Sequence, residues 1–123
     1  MAGVRKFQDL IAWQLAMELC DAVFEMTEAG PSSHDLEFRA QIRNAAQKAP
    51  ALIAEGFLRF TPGEFIRYLR MARGELGEIQ NHLEFGRRRQ HFTPAQSERA
   101  SSLALRAMTA TSRLLKSKLP SAR

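Results

Sequence analysis

The sequence predicts an all-α fold, an up-down-up-down antiparallel four-helix bundle. Apolar residues recur at spacings of three and four along four long segments, which is the spacing of a helix face that packs against a core. Short breaks rich in proline, glycine and serine separate the segments, and connections this short force consecutive helices to run antiparallel. No alternating run of apolar and polar residues predicts a β-strand.

The chain of 123 residues fits one domain. We predict helices over residues 9–28, 34–59, 62–90 and 94–117, followed by a basic tail at 118–123. The stripes predicted to face the core are Leu10, Trp13, Met17, Cys20 and Phe24 in the first helix; Phe38, Ile42, Ala45, Ala49, Leu52 and Gly56 in the second, with Phe57 and Phe60 alongside; Phe65, Leu69, Ala72, Leu76, Ile79 and Leu83 in the third; and Ala100, Leu103, Ala107, Ala110 and Leu114 in the fourth.

The breaks contain recognisable helix signals. The segment "AGPSSHD" (29–35) supplies a glycine stop, a proline and two candidate N-cap serines. The segments "TPGE" (61–64) and "TPAQ" (93–96) both match a capping box. In each, threonine caps the helix, proline takes the first helical position, and Glu64 or Gln96 reaches back to the cap.

Charge is distributed unevenly along the chain. The net charge is +5, and 14 of the 18 basic residues are arginine. Residues 7–30 hold five acids and no lysine or arginine, whereas residues 86–123 hold nine basic residues against one acid. A basic half of this kind indicates a polyanionic partner. The alternative is an arginine-rich composition set by a GC-rich genome, with the acidic helix pairing against the basic one.

Composition and the lengths of apolar segments also indicate the cellular compartment of the protein. With 45% apolar and 25% charged residues, the chain is typical of globular proteins. Cys20 is the single cysteine, so it forms no internal disulfide, metal cluster or redox pair, and its place in an apolar stripe favours a small core residue. No apolar segment of signal-peptide or membrane-spanning length occurs, and we expect the cytoplasm.

The first helix carries more apolar surface than a lone bundle needs. Its apolar residues cover about half of the helix circumference, whereas a helix with two neighbours needs a stripe somewhat over about 100° wide. Excess apolar surface usually marks an interface. We therefore predict a homo-oligomer; the alternative is a first helix placed centrally against a tail.

Two segments resemble a known family. The segments "FQDLIAWQLAMEL" and "FRAQIRNAAQKAPALIAEGFLRFTPGEFIRYLRMARGELGEIQNHL" resemble the small bacterial four-helix bundle proteins encoded in intervening sequences of large-subunit rRNA genes. That family is related to the accessory protein of diversity-generating retroelements. The resemblance covers roughly residues 7–90, and its most specific parts are D-L-x-x-W-Q, which contains Trp13, and P-x-x-I-A-E-G.

The resemblance implies a homopentamer of up-down-up-down bundles and a partner such as a reverse transcriptase with its RNA. It implies that Pro50 is a kink built into a long second helix, and that Ile53, Glu55 and Gly56 belong to a packing motif. Proline inside a helix otherwise costs about 3 kcal/mol. Gly56 would allow close helix approach.

The chain departs from the family pattern at several positions. Lys48 and Leu52 stand where the family has serine ahead of the proline and asparagine ahead of I-A-E-G, and Gly74-Glu75 replaces a Gly-Ser pair. Glu55, if buried, needs a partner. We predict Arg43 or Arg73 for that role.

Catalytic patterns are weak, and we expect neither an enzyme nor a cofactor. A di-iron site in a helical bundle needs two Glu-x-x-His motifs, whereas Glu78 and His82 are one residue too far apart and occur once. A metal site at Glu55, Glu78 and His82 is therefore a minor alternative to a simple i,i+4 pair. His34 and His91 have no acid or nucleophile beside them in sequence.

Nucleic-acid binding has better support. Arg99, Arg106 and Arg113 fall seven residues apart on the fourth helix, and Arg87–Arg89 end the third; with Lys116 they are the candidate binding residues for RNA or DNA. We expect contacts to phosphates, because no base-reading motif is present. Structural alternatives are that Arg87–Arg89 complement the helix dipole and that Glu18 and Glu25 pair with the fourth-helix arginines. The rival function is a purely structural assembly protein encoded by the rRNA insertion.

Overall fold

A computed structural model describes residues 3–59 and 61–120. Within these residues the chain contains four α-helices and no strand, which confirms the all-α prediction. Phe60 and the tail residues 121–123 lie outside the described residues. The elements are a 3₁₀ turn at Phe7–Asp9, α1 (Ile11–Met26), a 3₁₀ turn at Pro31–Ser33, α2 (Leu36–Phe57), α3 (Pro62–Arg88) and α4 (Pro94–Lys118).

The start of α2 differs from the prediction. Its N-cap is Asp35, whose carboxylate accepts the Phe38 N–H at 3.3 Å. The two serines predicted as caps lie in the preceding 3₁₀ turn, where Ser32 donates to the Met26 carbonyl at 2.9 Å and Ser33 to the Gly30 carbonyl at 2.6 Å. Their hydroxyls therefore close the α1–α2 connection, and the helix begins at Leu36 rather than at residue 34.

The caps of α3 and α4 are not equivalent. Thr93 accepts the Gln96 N–H at 3.1 Å, and Gln96 Oε1 accepts the Thr93 N–H at 2.9 Å, so this capping box is complete. Thr61 accepts the Glu64 N–H at 3.2 Å without the reciprocal bond. The Glu64 carboxylate lies 3.9 Å from the Arg59 guanidinium instead.

The four helices share one hydrophobic core. Each helix packs on the next in the chain, and α1 packs on α4. The whole predicted stripe of α3 is buried, and in α4 only Ala110 is half-buried. The largest fully buried aliphatic side chains are Leu10, Leu19, Val23, Ile42, Ile53, Leu69, Leu76 and Ile79.

The predicted stripe of α1 is wrong in part. Trp13, Met17 and Phe24 are only half-buried, while Leu15 and Leu19 face the core. The apolar arc of α1 is wide enough for several choices of stripe, and contact with both α2 and α4 selects the face centred on Ala12, Leu15, Ala16, Leu19, Ala22, Val23 and Met26. No helix among the described residues combines the length and apolar character that crossing a membrane requires.

Candidate nucleic-acid interface

Three arginines of α4 are exposed along one side of the helix. Arg99, Arg106 and Arg113 are each exposed, and their spacing of seven residues keeps them within about 40° of one another around the helix axis. Lys116 is exposed in the last turn of the same helix. Within residues 3–59 and 61–120, none of these four cations has a carboxylate oxygen within 4.0 Å.

The acids of α1 do not neutralise this row. Glu18 and Glu25 are exposed, and neither makes an ion pair with α4 in the described part of the chain. Glu25 and Arg99 line the same surface cavity between α1 and α4, together with Ala22, Met26, Ala95 and Gln96, without reaching salt-bridge distance. The predicted structural role for the α4 arginines, pairing with Glu18 and Glu25, is therefore wrong for this chain alone.

The arginines that end α3 have local partners. Arg87 Nη2 and Arg88 Nε lie 2.7 Å and 2.9 Å from the same oxygen of Glu84. Hydrogen bonds from Arg87 and then Arg88 lower the pKa of Glu84 to about 2. The Arg89 guanidinium lies over the Phe85 ring, 4.6 Å from its centroid. One carboxylate thus pairs with two of the three arginines, and the third lies against an aromatic ring.

The two basic groups lie on different sides of the α4 N-terminus. Arg87 lines a surface cavity between α3 and α4 with Pro94 and Glu98. Arg99 lines the cavity on the α1 side. The structure therefore brings Arg99 near the same end of the molecule as Arg87–Arg89, while Arg113 lies near Ile11 and the start of α1.

The residues of the P-x-x-I-A-E-G motif divide between core and surface. α2 continues through the buried Pro50, and Ile53 is fully buried. Gly56 meets α3 closely, because a Cβ built there would lie 2.7 Å from Tyr68 Cβ and 3.0 Å from the Phe65 ring. A side chain at position 56 is thus incompatible with this approach.

Glu55 and Trp13 are not core residues. The Glu55 side chain is 53% exposed and pairs with Arg59 Nη2 at 3.0 Å, so the predicted partners, Arg43 and Arg73, are wrong. Arg59 also donates to the Tyr68 hydroxyl at 2.6 Å and lies over the Tyr68 ring. Trp13 is half-buried and packs edge to face on Phe7, with centroids 5.4 Å apart.

Arg43 has a different structural role from the one predicted. It donates to Thr27 Oγ1 at 2.7 Å, to the Phe24 carbonyl at 3.2 Å and to Glu28 at 3.0 Å. These hydrogen bonds therefore join the C-terminus of α1 to α2. Sequence offered no signal for this contact, since the partners are 15 to 19 residues apart.

The residues considered as metal ligands do not gather into a metal site within the described part of the chain, and the single thiol is buried. His82 Nε2 lies 3.5 Å from Glu78, as the i,i+4 alternative predicts, and Glu55 is engaged with Arg59. Among the described residues no three His, Cys, Asp or Glu side chains gather into a potential metal site. Burial, followed by the charge of Asp21, raises the pKa of the Cys20 thiol, so the nucleophilic thiolate is disfavoured.

Sequence comparison gives the family of the chain. The family model described as 23S rRNA-intervening sequence protein matches residues 8–113, a span that contains all six candidate arginines and ends before Lys116. No curated protein matches the chain. The chain therefore belongs to the family of 23S rRNA-intervening sequence proteins.

Proposed function

We propose that this protein is a non-catalytic binding or scaffolding module for RNA or an RNA–protein complex, and that its arginines contact phosphates. The observation that carries the proposal is the row formed by Arg99, Arg106 and Arg113. These side chains are exposed and have no acidic partner among residues 3–59 and 61–120, although acids line the neighbouring helix. An unneutralised row of guanidinium groups attracts a polyanion and releases its counterions on binding.

RNA binding is our proposal, and the family description does not state it. The family description refers to a 23S rRNA-intervening sequence and names no ligand. A net charge of +5 supports polyanion binding in general. The partner classes that we propose are RNA, DNA bound through its phosphates, and a nucleoprotein such as a reverse transcriptase.

For the fold, we propose an antiparallel up-down-up-down bundle. Contacts at the helix ends support this topology. Gly56 near the end of α2 meets Phe65 and Tyr68 near the start of α3, whereas Asp35, at the start of α2, meets His91 just beyond α3. The end of α1 and the start of α4 line a common cavity.

We also propose that the bundle assembles as a homo-oligomer, with five copies as the resemblance implies. Ile11, Leu36, Leu58 and Leu105 are each at least 61% exposed in the single chain. The half-buried side of α1, including Trp13, adds to this surface. Assembly would repeat one weak basic surface around a ring and raise the avidity for a polyanion without any new contact.

Salt-dependent binding tests the proposal. Fluorescence anisotropy would follow a labelled structured RNA and a DNA duplex with the parent protein and with Arg99→Gln/Arg106→Gln/Arg113→Gln. For duplex DNA the slope of log K against log salt is about 0.9 per phosphate neutralised, so neutralising three fewer phosphates per chain lowers it by about 2.7. We expect weaker binding with the shallower slope for the α4 variant.

The matched control is Arg67→Gln/Arg70→Gln/Arg73→Gln, which removes three arginines from α3. Equal losses in both variants would indicate attraction to net charge and would overturn the specific α4 surface. Absence of binding to either nucleic acid by the parent protein at low salt would overturn nucleic-acid binding altogether.

A purely structural assembly protein is the second candidate function. The exposed apolar residues favour it, because Ile11 and Leu105 are 67% and 61% exposed. Light scattering after size-exclusion chromatography separates the candidates when combined with anisotropy. Oligomers that ignore both nucleic acids at low salt would favour the structural function.

A further inference from the structure

The ring of Phe85 differs from the other described aromatic rings in its exposure to solvent. Within the described residues, the large hydrophobic side chains that are exposed include a single aromatic, Phe85, at 43%. It lies in the last turn of α3, directly before Gly86 and the three arginines. A singly exposed hydrophobic side chain is ordinary on a protein surface, so the groups that surround the ring decide what it can bind.

The Phe85 ring lies between two surface cavities. The first cavity lies towards α2, and its lining includes Phe38, Gln41, His82 and Arg89 together with two acids, Asp35 and Glu37. The second is lined by Asn81, Glu84, Phe85 and Arg88.

Each cavity contains one arginine. The two acids of the first cavity already have partners, since Asp35 is bonded to His91 and Glu37 accepts a hydrogen bond from Gln41. Arg89 lies over the ring at 4.6 Å, and the pairing of Arg87 and Arg88 with Glu84 neutralises the only acid of the second cavity. The surroundings of Phe85 therefore offer stacking surface, positive charge and amide groups at one place.

We propose that Phe85 is a stacking platform for an unpaired nucleobase of a single-stranded nucleic acid. A base offers an aromatic face to the ring and polar edge atoms to Asn81 or Gln41. Its flanking phosphates attract Arg89, and they attract Arg88 in competition with Glu84. Every base has such a face, so the site is selective for unpaired bases rather than for a sequence. This inference rests on the proposed function and adds to it the class of ligand.

A duplex does not satisfy this site, because its bases are stacked on one another and its exterior offers phosphates. An apolar protein surface fits less well, because it would bury the charged Arg89 and the polar Asn81 beside the ring without offering either a polar partner. The ligand that matches all of these groups is therefore an unpaired stretch of RNA or DNA.

Anisotropy with four labelled probes tests the inference: single-stranded RNA, single-stranded DNA of the same sequence, an abasic strand of the same length and a DNA duplex. The variant is Phe85→Leu. Its control is Met71→Leu, which places leucine at a site on the same helix with nearly equal exposure, 42%. Phe85→Trp retains an aromatic face, and circular dichroism checks that each variant is folded.

We expect Phe85→Leu to bind both single strands about fivefold or more weakly and the abasic strand as well as the parent does. Met71→Leu should match the parent, and Phe85→Trp should restore single-strand binding. A larger loss of affinity for RNA than for DNA would identify RNA as the source of the base. An equal loss of affinity would show that the site takes bases from both RNA and DNA.

Binding of the single strands by Phe85→Leu at parent affinity would overturn the stacking site and leave the proposed function standing. A parent protein that binds the abasic strand as tightly as the normal ones would have the same meaning. If the parent binds none of the four probes at low salt, both the inference and the proposed function are overturned.

Discussion

His91 Nε2 lies 3.0 Å from Oδ2 of Asp35, so the connection between α3 and α4 is joined to the N-cap of α2. The other carboxylate oxygen accepts the Phe38 N–H at 3.3 Å. The His91 ring also packs edge to face on Phe38, with centroids 5.0 Å apart. One acid thus begins a helix and links it to a segment 56 residues later in the chain.

This link predicts a pH-dependent contribution to stability. The hydrogen bond from His91, followed by that from the Phe38 N–H, lowers the pKa of Asp35 below its ordinary value of 3.8. Because the folded-state pKa is lowered, the stabilisation is present above the ordinary value and is lost as the pH falls through the folded value. Asp35→Asn keeps a good N-cap residue and removes the charge.

We expect Asp35→Asn to have a lower melting temperature than the parent protein at about pH 7, and the difference to shrink as the pH falls below 3.8. Thermal melts followed by circular dichroism across this range measure it. A difference that stays constant with pH would show that the charge of Asp35 does not act through the link.

The contact between Gly56 and α3 predicts an unusual cost for a methyl group. Gly56→Ala forces its Cβ against Tyr68 Cβ and the Phe65 ring, so overpacking should lower the free energy of unfolding by about 1–3 kcal/mol. Gly74→Ala is the control, because a Cβ there meets nothing within 4 Å. It should instead stabilise the helix by about 0.8–1 kcal/mol. Urea denaturation measures both, and changes of the same sign would contradict the close approach.

The difference between the caps of α3 and α4 predicts unequal roles for two similar residues. Gln96 completes its capping box, whereas the Glu64 side chain makes no bond to its cap. Gln96→Ala should lower the free energy of unfolding by about 0.5–1.5 kcal/mol, the net value of one hydrogen bond. Glu64→Ala should cost less in the same urea titration, because its contact with Arg59 is an exposed one at 3.9 Å. Equal costs would indicate that both boxes are closed in solution.

Helix number and the breaks between helices were predictable because periodicity and capping are local signals. The buried stripe of α3 follows from period alone, since the predicted residues, which include Leu69 and Leu76, fall in one narrow row and are all buried. The stripe of α1 does not, because an apolar arc of half the circumference leaves the angle open. Packing against both α2 and α4 turns Leu15 inward and leaves Trp13 half-buried.

The candidate site was predictable as a set of charges and not as a set of contacts. Arginine spacing indicated the row on α4, but its lack of partners depends on how α1 sits beside it. The link of Asp35 to His91 joins distant segments, so neither residue had a visible partner in sequence. Phe85 was missed because a phenylalanine near a helix end is usually a core residue, and only the fold shows that it is 43% exposed.

Glu84 competes with nucleic acid for two of the proposed binding arginines. Its carboxylate holds Arg87 and Arg88, and with a pKa of about 2 it stays charged throughout the neutral range. Glu84→Gln should therefore strengthen binding to a DNA duplex and steepen the slope of log K against log salt by about 0.9 for each additional phosphate that the released arginines neutralise. Glu78→Gln is the control, because it removes the same charge from α3 at a site that faces His82. Salt-dependent anisotropy compares the two: stronger binding confined to Glu84→Gln means that the released arginines bind phosphate, whereas equal strengthening in both variants means that only the net charge of the protein matters.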